Sequence, residues 1–331
     1  MIRIFRFLLL ALLFLIFAYA VLWGTLALWY KLPGSELLVL GFAASFAAFG
    51  IGTLVAFFTS MRWRFFAAFV AALIAVNVWW NSLVPPSDGN WDPEVERQVT
   101  GIINGDILTL QNVRAFNWRT EGDFDKRWVT RTYDLSQITS TDLFMSYWAG
   151  PEMAHFMLSF GFANGDYLTW SVEVRREIDS TFSPVADFFK AHTISVIAAE
   201  ERDVVGLRSN IRKERVQLFR VDRNPGDTRL LEAFVAAANE VAENPHWFNS
   251  VFTNCSRSVV LLARHVGIKL PIDFRIIVNG YFPNYLYEMG VLNTDFSIED
   301  LYRLGDITER ALAEGLSDNY STSIRLGVPK P

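Results

Sequence analysis

Three apolar runs crowd into roughly the first eighty residues, and each is long enough to cross a lipid bilayer. Phe7 to Trp29 contains no charged residue. At about 1.5 Å per helical residue it outspans a hydrocarbon core of roughly 30 Å. Leu37 to Phe58 is the second run, rich in the Gly, Ala and Ser that let membrane helices approach closely. Phe65 to Trp80 is the third, ending on Trp79 and Trp80 where an interfacial aromatic belt belongs. Arg3 and Arg6 precede the first run, and Arg62 and Arg64 lie between the second and third. The other loop has one Lys and one Glu, and Asp88, Asp92, Glu94 and Glu96 follow the last run. By the positive-inside rule the N-terminus is expected in the cytoplasm and the remainder of the chain outside it. Ala18-Tyr19-Ala20 reads as a signal-peptide cleavage site, but the apolar sequence continues past it and two further runs follow.

Residues 1–82 therefore read as a three-helix membrane anchor, and residues 83–97 as a linker opening on Pro85-Pro86-Ser87-Asp88-Gly89-Asn90. Residues 98–331 have the composition of one α+β globular domain. The net charge of −5 comes without any basic run interleaved with aromatics, so nucleic-acid binding has no footprint. One cysteine excludes an intramolecular disulfide, and His155, His192, His246 and His265 are too scattered for zinc spacing. No Gly-rich phosphate loop occurs, so neither a metal nor a nucleotide cofactor is expected.

The domain's strands are expected over Asp106–Arg114, Leu143–Trp148, His155–Phe162, Tyr167–Arg175, Thr193–Ala198 and Arg215–Val221. A charged helical segment containing Glu201 and Arg208 lies between the last two, and an amphipathic helix covers Asp227–Glu243. The last dozen residues read as loosely held.

The single cysteine sits where a helix should begin. Thr253, Asn254 and Ser256 are N-cap residue types, and Val259 to Ala263 form an apolar body. Free N–H groups at a helix start favour a negative charge, so a thiol there ionises readily. Cys255 is thus a candidate nucleophile, with Asn254, Ser256 and the helix-start amides as candidate oxyanion or substrate contacts and Trp247 on the loop leading in. A thiolate needs a base. His155 opens a strand of the sheet on which this helix would pack, and His246 is a second possibility. His265 lies about 15 Å along the helix from Cys255 and is out of reach, while His192 reads as superficial.

Glu173, on the return strand of an Asn164-Gly165 hairpin, is the candidate for orienting the base. A two-residue Asn164-Gly165 loop sets Phe156 opposite Glu173 and sends His155 to the other face. A three-residue Asn164-Gly165-Asp166 loop sets Met157 opposite Glu173, with His155, Ser171 and Glu173 on one face. Neither pattern nor composition chooses between them, and a surface ion pair of Glu173 with Arg175 stays open.

Four motifs in order carry a resemblance: His155 to Phe162, Ser171 to Glu177, Glu201 to Asn210, and Thr253-Asn254-Cys255-Ser256. Together they resemble the Lnb-type N-terminal periplasmic domain of bacteria, in which the last motif reads approximately Asn-Cys-Thr. The likeness runs over roughly residues 98–310 and excludes the membrane spans. It implies a permuted papain-like (NlpC/P60-like) thiol fold, with an antiparallel sheet packed on a cysteine-bearing helix and the histidine strand first in sequence. It further implies His155 and Cys255 as a catalytic pair, Glu173 as a residue of the site, and lipoprotein N-acyltransfer as the activity. The expectation is a cysteine acyltransferase of the bacterial inner membrane with phospholipid and lipoprotein as partners. A peptidoglycan amidase or endopeptidase, and a non-catalytic envelope assembly or binding factor, are the other classes.

Overall fold

The computed structural model describes residues 2–222 and 227–331. Its contacts divide into two units: residues 1–86 with 183–191, and residues 87–182 with 192–331.

The first unit is built on α1 (Ile2–Lys31), α2 (Glu36–Ala56) and α3 (Arg62–Ser82), each long and apolar enough to cross a membrane. Phe69 of α3 is buried among Phe17 of α1 and Phe46 and Phe49 of α2, with ring centroids 4.8–5.8 Å apart. Segment 183–191, which carries the short helix α4 (Pro184–Phe188), belongs to this unit. Its Phe189 stacks on Tyr30 at 5.6 Å and meets the edge of Trp80, so Trp80 packs against aromatic neighbours.

The second unit is α+β. Its strands are β1 (Thr100–Asn104), β2 (Ile107–Arg114), β3 (Asn117–Thr120), β4 (Asp123–Asp125), β5 (Trp128–Asp134), β6 (Ile138–Tyr147), β7 (Ala154–Phe162), β8 (Tyr167–Arg175), β9 (Thr193–Ala199) and β10 (Arg215–Val221). The main sheet runs β1-β2-β9-β8-β7-β6-β10, with β5 also on β2 and β3–β4 a separate small hairpin. All its pairs are antiparallel except the single β2–β9 bridge of Arg114 with Ala199, so the antiparallel sheet expected on the cysteine-bearing helix is present, with one parallel join.

Both faces of the sheet are covered, which is why β7 reads as a near-continuous apolar run. On one face Phe156, Leu158, Phe160, Trp170 and Val172 pack against α6 (Asp227–Glu243) and α7 (Cys255–His265). Trp170 is fully buried and stacks on Phe234 of α6 at 5.4 Å. On the other face Phe144 and Met157 meet Val204 and Val205 of α5 (Glu201–Gly206) together with Ala311, Tyr320 and Ile324 from the C-terminal helical region.

Two expectations are corrected. The linker is shorter than composition suggests, because Trp91 already bridges Glu177 and Val95 is buried. The C-terminal residues are firmly held. Arg325 is buried between Asp142 and Glu201, with N–O separations of 2.6–2.9 Å, and its guanidinium lies 3.6 Å from the Tyr167 ring centre. A polar segment reads as loose when its buried partners lie more than a hundred residues away.

Candidate active site

The cysteine helix begins as its sequence demands. Asn254 is the extended N-cap residue, and its Oδ1 accepts the Arg257 N–H at 2.9 Å. Its Nδ2 donates to the Ser250 carbonyl, and the fully buried Ser256 hydroxyl donates to the Ile276 carbonyl at 2.9 Å and to Asn254 Oδ1. Both side chains are spent on pinning the first turn, where an oxyanion or substrate contact was expected of them. The reason is the unpaired donors at a helix start, which an amide and a hydroxyl satisfy locally. Cys255 is left half-buried at the first helical position.

The hairpin takes a register that neither expected loop provides. Met157 pairs with Ser171 and Gly161 with Tyr167, so the loop is Ala163-Asn164-Gly165. Gly165 adopts a left-handed φ of +88°, open to glycine without strain, and Asn164 Oδ1 accepts the Asp166 N–H. Asp166 therefore joins the ladder, its carbonyl accepting the Phe162 N–H. The parity is that of a three-residue loop, so His155, Ser171 and Glu173 do share a face, and His155 falls opposite Glu173.

Although both strands continue, the β7–β8 ladder stops at Met157 and Ser171. In that opening the Phe156 amide is left facing the Cys255 thiol, on which it acts to favour the thiolate. The thiol packs on the α7 side of the sheet and the imidazole belongs to the face of Ser171 and Glu173. Yet the two act on each other beside this opening, each shifting the other's proton affinity.

His155 Nε2 lies 2.7 Å from Ser171 Oγ and 2.9 Å from Glu173 Oε1, and Ser171 Oγ donates to Glu173 Oε1 at 2.8 Å. With the serine proton given to the carboxylate, its oxygen accepts, so Nε2 carries the hydrogen. Nδ1 is then the nitrogen left for the thiol.

The charges follow the geometry. Burial works to raise Glu173, but the His155 and Arg208 charges, with hydrogen bonds from His155 and Ser171, hold its carboxyl well below the usual range. Burial and the Arg208 charge work to lower His155, and Glu173 and the Cys255 contact outweigh them and raise it. Burial works to raise the Cys255 thiol, yet the hydrogen bond and charge of His155 and the Phe156 amide bring it below 9.0. The arrangement favours a thiolate–imidazolium pair steadied by a carboxylate.

Two residues of the site had no role assigned from sequence. Asn279 is buried, and its Oδ1 and Nδ2 clip to the N–H and carbonyl of Ala154 at 2.9 and 2.7 Å. Its Nδ2 also lies 3.7 Å from Cys255 Sγ. Gly280 makes this approach possible, since a Cβ there would stand 2.0 Å from the Pro151 carbonyl oxygen. Arg208 reaches Glu173 Oε1 at 3.1 Å. It stood within a motif already singled out, whereas nothing local marks Asn279.

The other candidates lie elsewhere. Trp247 bridges Thr193 at the start of β9. His246 is exposed beside Glu240, and His265 ends α7. His192 is buried against Ser180, not superficial, because its neighbours in the chain enter β9.

The order of elements, histidine strand before cysteine helix, and the triad across the opened ladder invite comparison with known families. Residues 124–280 match the model of the Lnb N-terminal periplasmic domain. This Lnb-type segment contains His155, Glu173, Arg208, Cys255 and Asn279. No curated protein and no solved structure matches the chain. With three membrane-length helices ahead of the Lnb-type segment, the chain is an inner-membrane protein with a periplasmic domain.

Proposed function

We propose that this domain is a membrane-anchored cysteine acyltransferase that moves a fatty acyl chain from a phospholipid, through a thioester on Cys255, to a lipoprotein amine. The observation that carries the reading is the set of exposed apolar side chains on the segments that hold the Cys–His–Glu site. Exposed Phe252 precedes the thiol by three residues, its ring 5.6 Å from the Arg257 guanidinium. Phe274 and Ile277, also exposed, flank Ile276, whose carbonyl holds Ser256, and exposed Met153 adjoins the Ala154 that Asn279 clips. Side chains of this kind suit an acyl chain better than a glycan or peptide.

In the first half-reaction the thiolate attacks the ester carbonyl carbon, and the oxyanion is held by helix-start amides and the Asn279 amide. The C–O bond breaks and the His155 imidazolium gives its proton to the leaving lysophospholipid oxygen. In the second, an amine attacks the thioester, His155 Nδ1 takes its proton, and the thiolate leaves. Glu173 and Ser171 hold Nε2 throughout. The arginine bias of the loops supports a cytoplasmic N-terminus, with this chemistry on the periplasmic side.

The test is intact-mass measurement of the full chain in vesicles of defined phospholipid. A hydroxylamine-labile acyl adduct on Cys255 that disappears on adding a lipopeptide amine is the expected result. Absence of any adduct, with release of peptide fragments from peptidoglycan instead, would replace this reading with a cell-wall hydrolase.

A further inference from the structure

Behind the triad, on the face of the sheet away from the cysteine helix, lies a second line of charge. Helix α5 does not end in an ordinary turn but widens at Leu207–Ile211 into a π-helical turn, a feature that re-aims side chains and recurs at functional sites. That turn carries Arg208, buried, beneath β8. One guanidinium nitrogen lies 3.1 Å from Glu173 Oε1, and the other lies 3.6 Å from Glu214 Oε2. Glu214 is in turn fixed: its N–H donates to the Arg208 carbonyl, and its carboxylate accepts from Ser146 Oγ. Ser146 is fully buried on β6 in direct register with His155. The fork thus ties the carboxylate on one side of His155 to the strand on its other side.

We propose that Arg208 is a positioning residue, which holds Glu173 Oε1 on His155 Nε2 and so keeps Nδ1 turned to the Cys255 thiol. The proposal rests on the reading of Cys255 and His155 as a catalytic pair. Without the fork, Glu173 Oε1 keeps the Ser171 hydroxyl and the imidazole itself, both on the sheet, and loses the one side-chain anchor described for it from the α5 side. The groups facing this cluster are His155 on β7, Ser171 and Glu173 on β8, Ser146 on β6, Cys255 on α7 and Glu214 beyond the π-turn. The Arg114 and Arg212 charges also reach Glu173.

The sign of one measurement separates positioning from mere proximity of charge. As a bystander, Arg208 opposes the imidazolium by its charge. Glu173 keeps the His155 charge and the His155 and Ser171 hydrogen bonds that favour its ionised form without it, so removing Arg208 would strengthen the thiolate pair and raise thiol reactivity at low pH. As a positioning residue, its loss frees Glu173 and lowers that reactivity.

Iodoacetamide alkylation of Cys255, followed by mass across pH in the detergent-solubilised full chain, needs no knowledge of the substrate. Arg208→Gln is expected to move the thiolate limb up by about one pH unit, an alkylation rate roughly tenfold lower on that limb. Arg208→Lys, which keeps the charge but not the fork, is expected between it and the wild type. A glutamine profile that overlays the wild type or shifts downward overturns the proposal. Should the glutamine variant not fold, the lysine variant decides alone, and its coincidence with the wild type overturns the proposal equally. Glu173→Gln and His155→Ala serve as references. If Glu173→Gln moves the limb and Arg208→Gln does not, only this inference fails. If His155→Ala also leaves the profile unchanged, the catalytic reading fails with it.

Discussion

His155 stands opposite Glu173 two pairs beyond the last closed rung of the β7–β8 ladder, with Nε2 and Oε1 2.9 Å apart. With the ladder open there, the Phe156 amide is left facing the Cys255 thiol and favours its thiolate. The opening is therefore where a strand histidine and a helix cysteine, on different layers, act on each other.

The thiol itself gives the first prediction. Cys255→Ser removes the polarisable nucleophile but leaves a residue equally suited to a helix start. Acyl-adduct formation and turnover are expected to vanish while the circular-dichroism melt moves by less than about 0.5 kcal/mol equivalent. Retained turnover in this variant would end the covalent mechanism.

A pH prediction follows from the directions of the shifts. The thiol lies below 9.0 and the imidazole above its ordinary 6.5. Alkylation of Cys255 is therefore expected to stay fast at pH values where an ordinary thiol is protonated, and to fall only as pH drops through the lowered thiol value. His155→Ala should return the limb to the ordinary thiol range. A wild-type limb already at 9.0 would contradict the ion pair.

Stability should carry the mark of Glu173. Its folded value is depressed, so the ionised carboxylate stabilises the fold above the ordinary value of 4.5, and that contribution is lost as pH falls through the folded value. Glu173→Gln should cost stability at neutral pH, with the gap to the wild type closing only below 4.5. Urea titrations at neutral and acid pH measure it, and a gap independent of pH would mean that the carboxylate is not held ionised by its neighbours.

Asn279→Ala is expected to lower kcat by about a hundredfold with a smaller effect on KM, the usual cost of one oxyanion donor. Gly280→Ala should act in the same direction, since its Cβ would push Asn279 off Ala154. If steady-state kinetics show either change confined to KM, Asn279 contacts substrate and not the oxyanion.

At the far end of the sheet, Arg325→Met leaves Glu201 and Asp142 buried without that guanidinium. Breaking a buried pair in this way costs about 3–5 kcal/mol. Thermal denaturation should report a loss of that order. A negligible change would show the C-terminal residues to be as loosely held as their composition suggests.

The sequence by itself determined whatever depends on residues adjacent in the chain. The lengths of the three apolar runs mark α1, α2 and α3, and alternation marks β7 and β8. The N-cap chemistry of Asn254 marks the start of α7, because a helix end must satisfy its own donors. Cys255, His155, Ser171 and Glu173 could be named on these grounds, and the structure brings those four together. Tertiary structure alone decided the register, because one residue more or less in a loop costs little locally and is selected by what each face buries. It also decided that the ladder opens beyond Met157, that Asn279 returns to Ala154 from 125 positions away, and that a π-turn aims Arg208 at Glu173 across 35. Those contacts exist only once the chain has closed on itself, when a buried amide or guanidinium must find its partner wherever packing has left one.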